Sequence, residues 1–252
     1  MSMASLGIKN IEVFVPGLKE GTVNLLYGPP GSGKSILGMQ YLSHGARRGE
    51  EVLYISLDQS GVSVAKDFEN LDLLLDDIYI FDAFPIIAGK AEVKPVREVT
   101  PIAYPIKMKE IGKKEKMFEA DVLSLQSTLK NVFDRRRYER VVVDSITSLR
   151  YFYMRGLNPM AGVHSFLQFL LTYSHSTVLV IAEDFEDLLI EKSIMDSVFY
   201  LQKVPNSNKA INLIVEKSSF KCDVENIPLK LTNSGFGVEE KFYLKFVRRK
   251  GV

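Results

Sequence analysis

The chain is 252 residues long, 46% hydrophobic and 25% charged, a globular composition that excludes disordered, collagen-like and coiled-coil proteins. Its 32 Lys and Arg against 31 Asp and Glu leave a formal charge of +1, so no net basic field exists to hold nucleic acid or an anionic membrane non-specifically. The one cysteine, Cys222, cannot close an intrachain disulfide, the start from Met1 to Lys9 lacks a signal-peptide pattern, and no run reaches the ~18 clean apolar residues of a membrane span, so a soluble protein of the reducing cytoplasm is expected.

In chain order, Thr22–Tyr27 is a short apolar run that leads into the glycine-rich segment GPPGSGKS. Helical spacing of Ile36, Leu37, Met39, Gln40, Tyr41 and Leu42 then runs toward Gly49. Val52–Leu57 reads as a second buried strand, about Val62 to Leu75 as a helix, and Ile78–Phe81 as a third strand. The stretch Ala83–Gly112 breaks this rhythm, since Pro85, Pro95, Pro101 and Pro105 remove backbone donors and disfavour helix; it is read as an irregular excursion. Helical spacing returns from Val122 through Arg137, and Val141–Val143 form a fourth strand ending at Asp144. Asn158 and Pro159 start a helix that runs to about Ser174. Val178–Ala182, Val198–Gln202 and Ile211–Val215 are the fifth, sixth and seventh strands, with a tight turn at Pro205-Asn206-Ser207-Asn208 that makes the end of the sheet antiparallel. The result is one α/β domain over residues 1–252, a twisted and mostly parallel sheet flanked by helices, with antiparallel strands at its C-terminal edge.

Gly28-Pro29-Pro30-Gly31-Ser32-Gly33-Lys34-Ser35 fits the phosphate-loop pattern G-x-x-x-x-G-K-[ST] at every defined position, in the strand–loop–helix context that the pattern requires. Gly31 and Gly33 let consecutive amides point inward, the helix N-terminus adds its positive dipole end, Lys34 neutralises the outer phosphates and Ser35 ligates Mg²⁺. A metal so placed needs a second acid, and the β-branched run Val141-Val142-Val143 ends in one, Asp144. The second strand also ends in an acid, Asp58, where a carboxylate can polarise the water that attacks a γ-phosphate. A strand-end aspartate also starts turns and caps helices, so both roles stay open for it. The strands at 52–57 and 78–81 lie in sequence between the phosphate-loop strand and the Asp144 strand, consistent with a catalytic carboxylate carried on a strand placed between those two.

With these motifs in order, the chain resembles the RecA superfamily of ATPases and, within it, the single-domain relatives of the circadian-clock ATPase KaiC. The resemblance rests on GPPGSGKSILGMQYL, VLYISLDQS, RVVVDSITSLRYF, VLVIAED and LLIEKSIMDSVFYL and covers most of the chain. It implies a central twisted sheet, Mg-ATP bound by Lys34 and Ser35 with Asp144 on the metal side, and a homo-oligomer such as a hexameric ring with ATP at subunit boundaries. Two departures matter. The relatives show paired glutamates where this chain has Asp58 and Gln59, a side chain shorter by roughly 1.5 Å and an amide that is no base. They also present a Lys-x-Arg pair to the neighbour's γ-phosphate, where this chain keeps Lys217 but has Ser219 in place of the arginine; Lys221 is a nearby substitute. Weak or partner-dependent hydrolysis is therefore expected, with Asp58, Lys34 and Lys217 as the catalytic set and an unidentified protein partner. A non-hydrolysing nucleotide sensor is the alternative. A DNA-acting recombinase paralogue is less favoured, because only about twenty residues precede the first strand.

Other features read as structural. The basic clusters Arg135-Arg136-Arg137 and Arg248-Arg249-Lys250 sit at a helix end and a chain end, where solvation is the ordinary role and nucleic-acid binding is not expected. His44, His164 and His175 have no Cys or His at ligand spacing, which argues against a protein-bound transition metal. Tyr151, Phe152, Tyr153 and Met154 form an aromatic cluster read as core or interface packing.

Overall fold

A computed structural model describes residues 2–83, 93–95, 121–152, 158–184, 188–205, 207, 210–220, 222 and 224–250. In chain order the elements are β1 (Met3–Ala4), β2 (Leu18–Lys19), β3 (Val23–Gly28), α1 (Lys34–Ala46), β4 (Val52–Ser56), α2 (Gly61–Phe68), β5 (Ile78–Asp82) and β6 (Val93–Pro95). They continue as α3 (Val122–Arg135), β7 (Arg140–Asp144), α4 (Ile146–Phe152), α5 (Pro159–Tyr173), β8 (Thr177–Glu183), α6 (Leu189–Ile194), β9 (Val198–Lys203), β10 (Ala210–Lys217), β11 (Asn226–Thr232), β12 (Gly235–Val238) and α7 (Glu240–Lys250).

One ten-stranded sheet organises the molecule, in the order β12-β11-β10-β9-β3-β8-β7-β4-β5-β6. The strands from β9 through β5 pair in parallel, and both edges turn antiparallel. Parallel strands covered on both faces need apolar side chains on both, which is why β3, β4 and β8 are near-continuous apolar runs with buried residues throughout or almost throughout. Alternation then divides the core. Leu26, Val142 and Ile181 pack with Leu37 and Tyr41 of α1, while Leu25, Val141 and Val180 pack with Leu125 of α3 and Phe166 and Leu170 of α5.

The expected mostly parallel sheet with an antiparallel C-terminal edge is what forms, but its strand order differs from one expectation. The strand between β3 and the Asp144 strand β7 is β8, and β4, which leads to Asp58, lies on the far side of β7. Parallel crossovers set spatial neighbours that sequence order alone does not. The helix expected over about 62–75 stops at Phe68. Beyond it the chain runs irregularly because its donors find partners elsewhere: Asp72 N–H donates to Asn233 O at 2.8 Å and Leu74 N–H to the Ser43 hydroxyl of α1 at 2.8 Å. Most of the expected excursion at 83–112 lies outside the described residues; within it, β6 pairs antiparallel with β5 at the sheet edge, the place where a proline such as Pro95 is tolerated. Of the aromatic cluster, Tyr153 and Met154 lie outside the described residues, and Tyr151 is 71% exposed rather than in the core.

Helix starts follow local chemistry. Asp121 caps α3 by accepting from Ser124 N–H at 2.7 Å, and the Ser124 hydroxyl accepts from Asp121 N–H to close a capping box. Asn158 caps α5 by accepting from Met160 N–H at 2.9 Å, with Pro159 in the first turn as the sequence predicts. Among the described residues no helix is long and apolar enough to cross a membrane.

Candidate functional site

The loop Gly28–Ser35 leaves the C-terminal end of β3 and enters α1. Gly33 stands at the N-cap with φ 87°, a left-handed conformation that side chains resist, and a Cβ there would meet Phe236 Cζ at 2.6 Å. A glycine cap has no side chain to accept from the first-turn amides, and none of them receives a side-chain cap. These amides and the helix dipole form an anion-binding end. Beside them Ser32 is 1% exposed and its hydroxyl has no hydrogen-bond partner among the described residues. An unmatched buried hydroxyl in such a loop fits a phosphate ligand.

Lys34, 5% exposed, folds back under the loop. Its ammonium donates to Gly28 O at 2.9 Å, Pro29 O at 3.0 Å and Glu183 Oε2 at 3.0 Å. Glu183 ends β8, the strand beside β3, and its backbone N–H donates to Thr147 Oγ1 at 2.9 Å, which ties that strand end to α4.

Asp144 ends β7 and accepts from the Tyr54 hydroxyl at 2.5 Å. Burial raises its carboxyl above the usual carboxylate range against the opposing pull of the Ser35 and Tyr54 hydroxyls, and the nearby charge of Asp58 adds to the rise while Lys34 opposes it. Burial also pushes the Tyr54 hydroxyl well above its usual value, with the Asp144 charge second, so it stays a donor. Asp58 lies just past β4, exposed, and accepts from the Ser148 hydroxyl of α4 at 2.6 Å. Parallel strands bring their C-terminal ends to one edge of the sheet, so Lys34, Ser35, Asp144 and Asp58 gather there as the sequence predicts. Ser35 and Asp144 offer hard oxygen donors suited to Mg²⁺, which is ordinarily held by one or two protein ligands plus phosphate and water oxygens. Among the described residues no group of three or more His, Cys, Asp or Glu could hold a metal by itself.

Lys217 does not join this group. It sits exposed at the end of β10, two strands from β3, and its ammonium donates to Ser193 O at 3.2 Å and Lys192 O at 3.4 Å at the end of α6. Ser219 is exposed at a bend, and Lys221 lies outside the described residues. Three residues at the site were not singled out by the sequence. Glu183 carried a usable signal, since it ends an apolar run just as Asp144 does. Tyr54 sits mid-strand and reads as core, and Ser148 is one hydroxyl among several.

The strand order, the phosphate loop and the strand-end acids define a RecA-like P-loop fold. The family model described as ATPase, KaiC, matches residues 4–241, and the chain belongs to that family. It is 29% identical over 141 residues to a UPF0273 protein of Pyrobaculum aerophilum, a match covering 55% of this chain and 45% of that one. A UPF0273 protein of Thermotoga maritima is 28% identical over 141 residues, covering 55% and 52%. The matches to these curated relatives thus span about half of their length. A RadB DNA repair and recombination protein of Methanobrevibacter smithii is 26% identical over 84 residues, covering 32% of this chain and 36% of its own. Among solved structures, a KaiC-like protein of Pyrococcus horikoshii shares the fold with a TM-score of 0.70 at 18% identity, over 94% of this chain and 99% of that one.

Proposed function

We propose that the chain binds Mg-ATP and hydrolyses it weakly, or only when a partner completes the site, in a regulatory role. In this reading the loop Gly28–Gly33 and the first amides of α1 cradle the phosphates, and Lys34 leaves Glu183 to neutralise the outer ones. Ser35 and Asp144 hold Mg²⁺, which when bound supplies positive charge to the phosphate oxygens. Asp58 orients the attacking water, and its bond from Ser148 fixes where its carboxylate points. The observation that carries the reading is the buried Lys34 ammonium at the mouth of an uncapped helix, next to the unmatched hydroxyl of Ser32. Titration calorimetry with ATP and Mg²⁺ tests it. Wild type is expected to bind and Lys34→Ala to lose roughly 10- to 100-fold, the range of one hydrogen bond to a charged group. No heat from wild type, or equal affinity in both, overturns it.

A second reading, a nucleotide sensor without turnover, is favoured by Lys217. Its ammonium is engaged with its own α6 carbonyls, and the position two residues on is serine where an arginine can contribute about 10³ to 10⁵ in rate. Steady-state phosphate release decides between the two: wild type no faster than Lys34→Ala favours the sensor. The exposed end of β10 also suits assembly into a homo-oligomeric ring, where a neighbouring copy could draw Lys217 away from α6. A free Cys222 is in keeping with a reducing cytoplasm.

A further inference from the structure

A second lysine lies against the phosphate loop. Strand β9 runs parallel to β3 with Leu25 opposite Val198, Leu26 opposite Phe199 and Tyr27 opposite Tyr200. Carried forward, this register sets Leu201 beside Gly28, and there a Cβ on Gly28 would come within 2.5 Å of Leu201 O. Two residues further, the last residue of β9, Lys203, reaches the crest of the loop: a Cβ on Gly31 would lie 3.2 Å from its Nζ and 3.8 Å from its Cε.

Lys203 differs from the other lysines of this region in its surroundings. Lys34 is paired with Glu183 at 3.0 Å, Lys192 with Glu216 at 3.0 Å, and Lys217 donates to α6 carbonyls. Lys203 is exposed, its backbone lies opposite Ile211 of β10, and its ammonium has neither a hydrogen bond nor an ion pair among the described residues. An ammonium without a counter-charge, set against a loop that already carries a helix dipole and Lys34, raises the positive potential at one point. An anion of several charges relieves that build-up more than a monoanion does. Gly31 keeps the approach open, because it has no side chain to stand between the ammonium and the loop backbone.

From this we propose that Lys203 is a second phosphate-binding cation of the site, contributed by the same chain, which contacts the polyphosphate of a bound nucleotide over Gly31. The proposal rests on the P-loop reading above and adds a residue to it. Lysine acts on phosphate as a point charge, so the contact should strengthen with the number of phosphate charges and discriminate triphosphate from diphosphate. It also places a positive charge on the nucleotide from within the chain, which Ser219 does not do from a neighbour.

Equilibrium titration with fluorescent ATP and ADP analogues and Mg²⁺, at low and high salt, tests this on wild type, Lys203→Ala, Lys203→Arg and Lys34→Ala. Lys203→Ala is expected to weaken ATP binding about tenfold, at the lower end for a charged contact because the site is open to water, and ADP binding by less. The difference should shrink as salt rises, and Lys203→Arg should stay within a few-fold of wild type. A strand-packing role for Lys203 would move neither the salt dependence nor the ratio of ATP to ADP. Lys203→Ala within twofold of wild type at low salt overturns the proposal while leaving the P-loop reading intact, provided Lys34→Ala is impaired. Equal losses in Lys203→Ala and Lys203→Arg overturn it as well. If wild type binds neither analogue, the P-loop reading falls and this one with it.

Discussion

At the scale of single residues, Arg140 shows away from the candidate site how a buried charge is held by its surroundings. Its side chain is 2% exposed, and its guanidinium donates to both carboxylate oxygens of Glu50, to Ser5 O at 2.6 Å and to Tyr41 O at 3.2 Å. Burial alone would raise the Glu50 carboxyl, but the hydrogen bonds and charge of Arg140 outweigh it and hold the group below its ordinary value of 4.5. A carboxyl depressed in the folded state binds fewer protons there than in the unfolded chain. Its stabilisation is therefore complete above about pH 4.5 and is lost as pH falls through the lower folded value. Glu50→Gln is expected to cost about 3 kcal/mol near neutrality, because the buried guanidinium keeps its two backbone carbonyls but loses its counter-charge and one of the two carboxylate acceptors. Denaturant melts of both proteins along a pH series check it: the gap should narrow toward the acid end, as Glu50 itself becomes neutral. A gap that stays constant with pH would show that packing rather than charge is lost.

Elements differ in how far the sequence specified them, and the reason lies in what each one packs against. The phosphate-loop strand, its helix, β4, β7 and β8 were legible because strands covered on both faces must be apolar throughout and because the loop motif fixes its neighbours. By contrast β1 and β2 are two residues each, β11 carries Pro228 inside it, and β12 reads GFGV, so none shows a clean period. Helix α7 has an amphipathic sequence but buries no residue completely; Phe242 and Phe246 rest on Phe14, with ring centroids 5.5 and 4.5 Å away. The candidate site was legible where a motif or a strand-end acid marked it, at Lys34, Ser35, Asp144 and Asp58. It was illegible where spatial strand order decides: Glu183 ends an apolar run, but only the interposed β8 sets it beside Lys34, and Lys203 is brought to the loop by β9. One side chain joins the readable part to the unreadable. Gln40 of α1 donates to Phe236 O at 2.9 Å and Gly7 O at 2.8 Å, and accepts from Phe236 N–H at 2.7 Å. It thereby pins β12 and the N-terminal arm against the helix that begins at the loop, and the Phe236 ring fills the space under Gly33. Gln40→Leu keeps the volume but strands three backbone groups at about 1–3 kcal/mol each, so a loss of roughly 3–9 kcal/mol is expected in a urea titration. A loss under 1 kcal/mol would mean that water replaces the amide and that β12 is held by its other contacts.

For the molecule as a whole, the loop is attached to every layer that surrounds it. Lys34 bonds to the end of β8, α1 packs its Leu37 and Tyr41 on the sheet, Gln40 holds β12, and Lys203 approaches from β9. A ligand that occupies such a loop binds the folded state and has nothing comparable to bind once these layers separate. Its free energy then adds to global stability as RT ln(1 + [L]/Kd), about 2.7 kcal/mol at a hundredfold excess over Kd. At about 2–4 °C per kcal/mol for a chain of this size, Mg-ATP at that excess should raise the melting temperature by about 5–11 °C in one cooperative step. AMP, which lacks the outer phosphates proposed to meet Lys34 and Lys203, should raise it far less at the same concentration. In Lys34→Ala the ATP shift should fall to about 3–6 °C for a tenfold weaker Kd and to about 1–2 °C for a hundredfold weaker one. Scanning calorimetry reads both the size of the shift and the number of transitions. A binding heat at 25 °C without a matching rise in melting temperature would mean that the loop opens before the sheet does, and that the ties through Glu183 and Gln40 do not join it to the cooperative core.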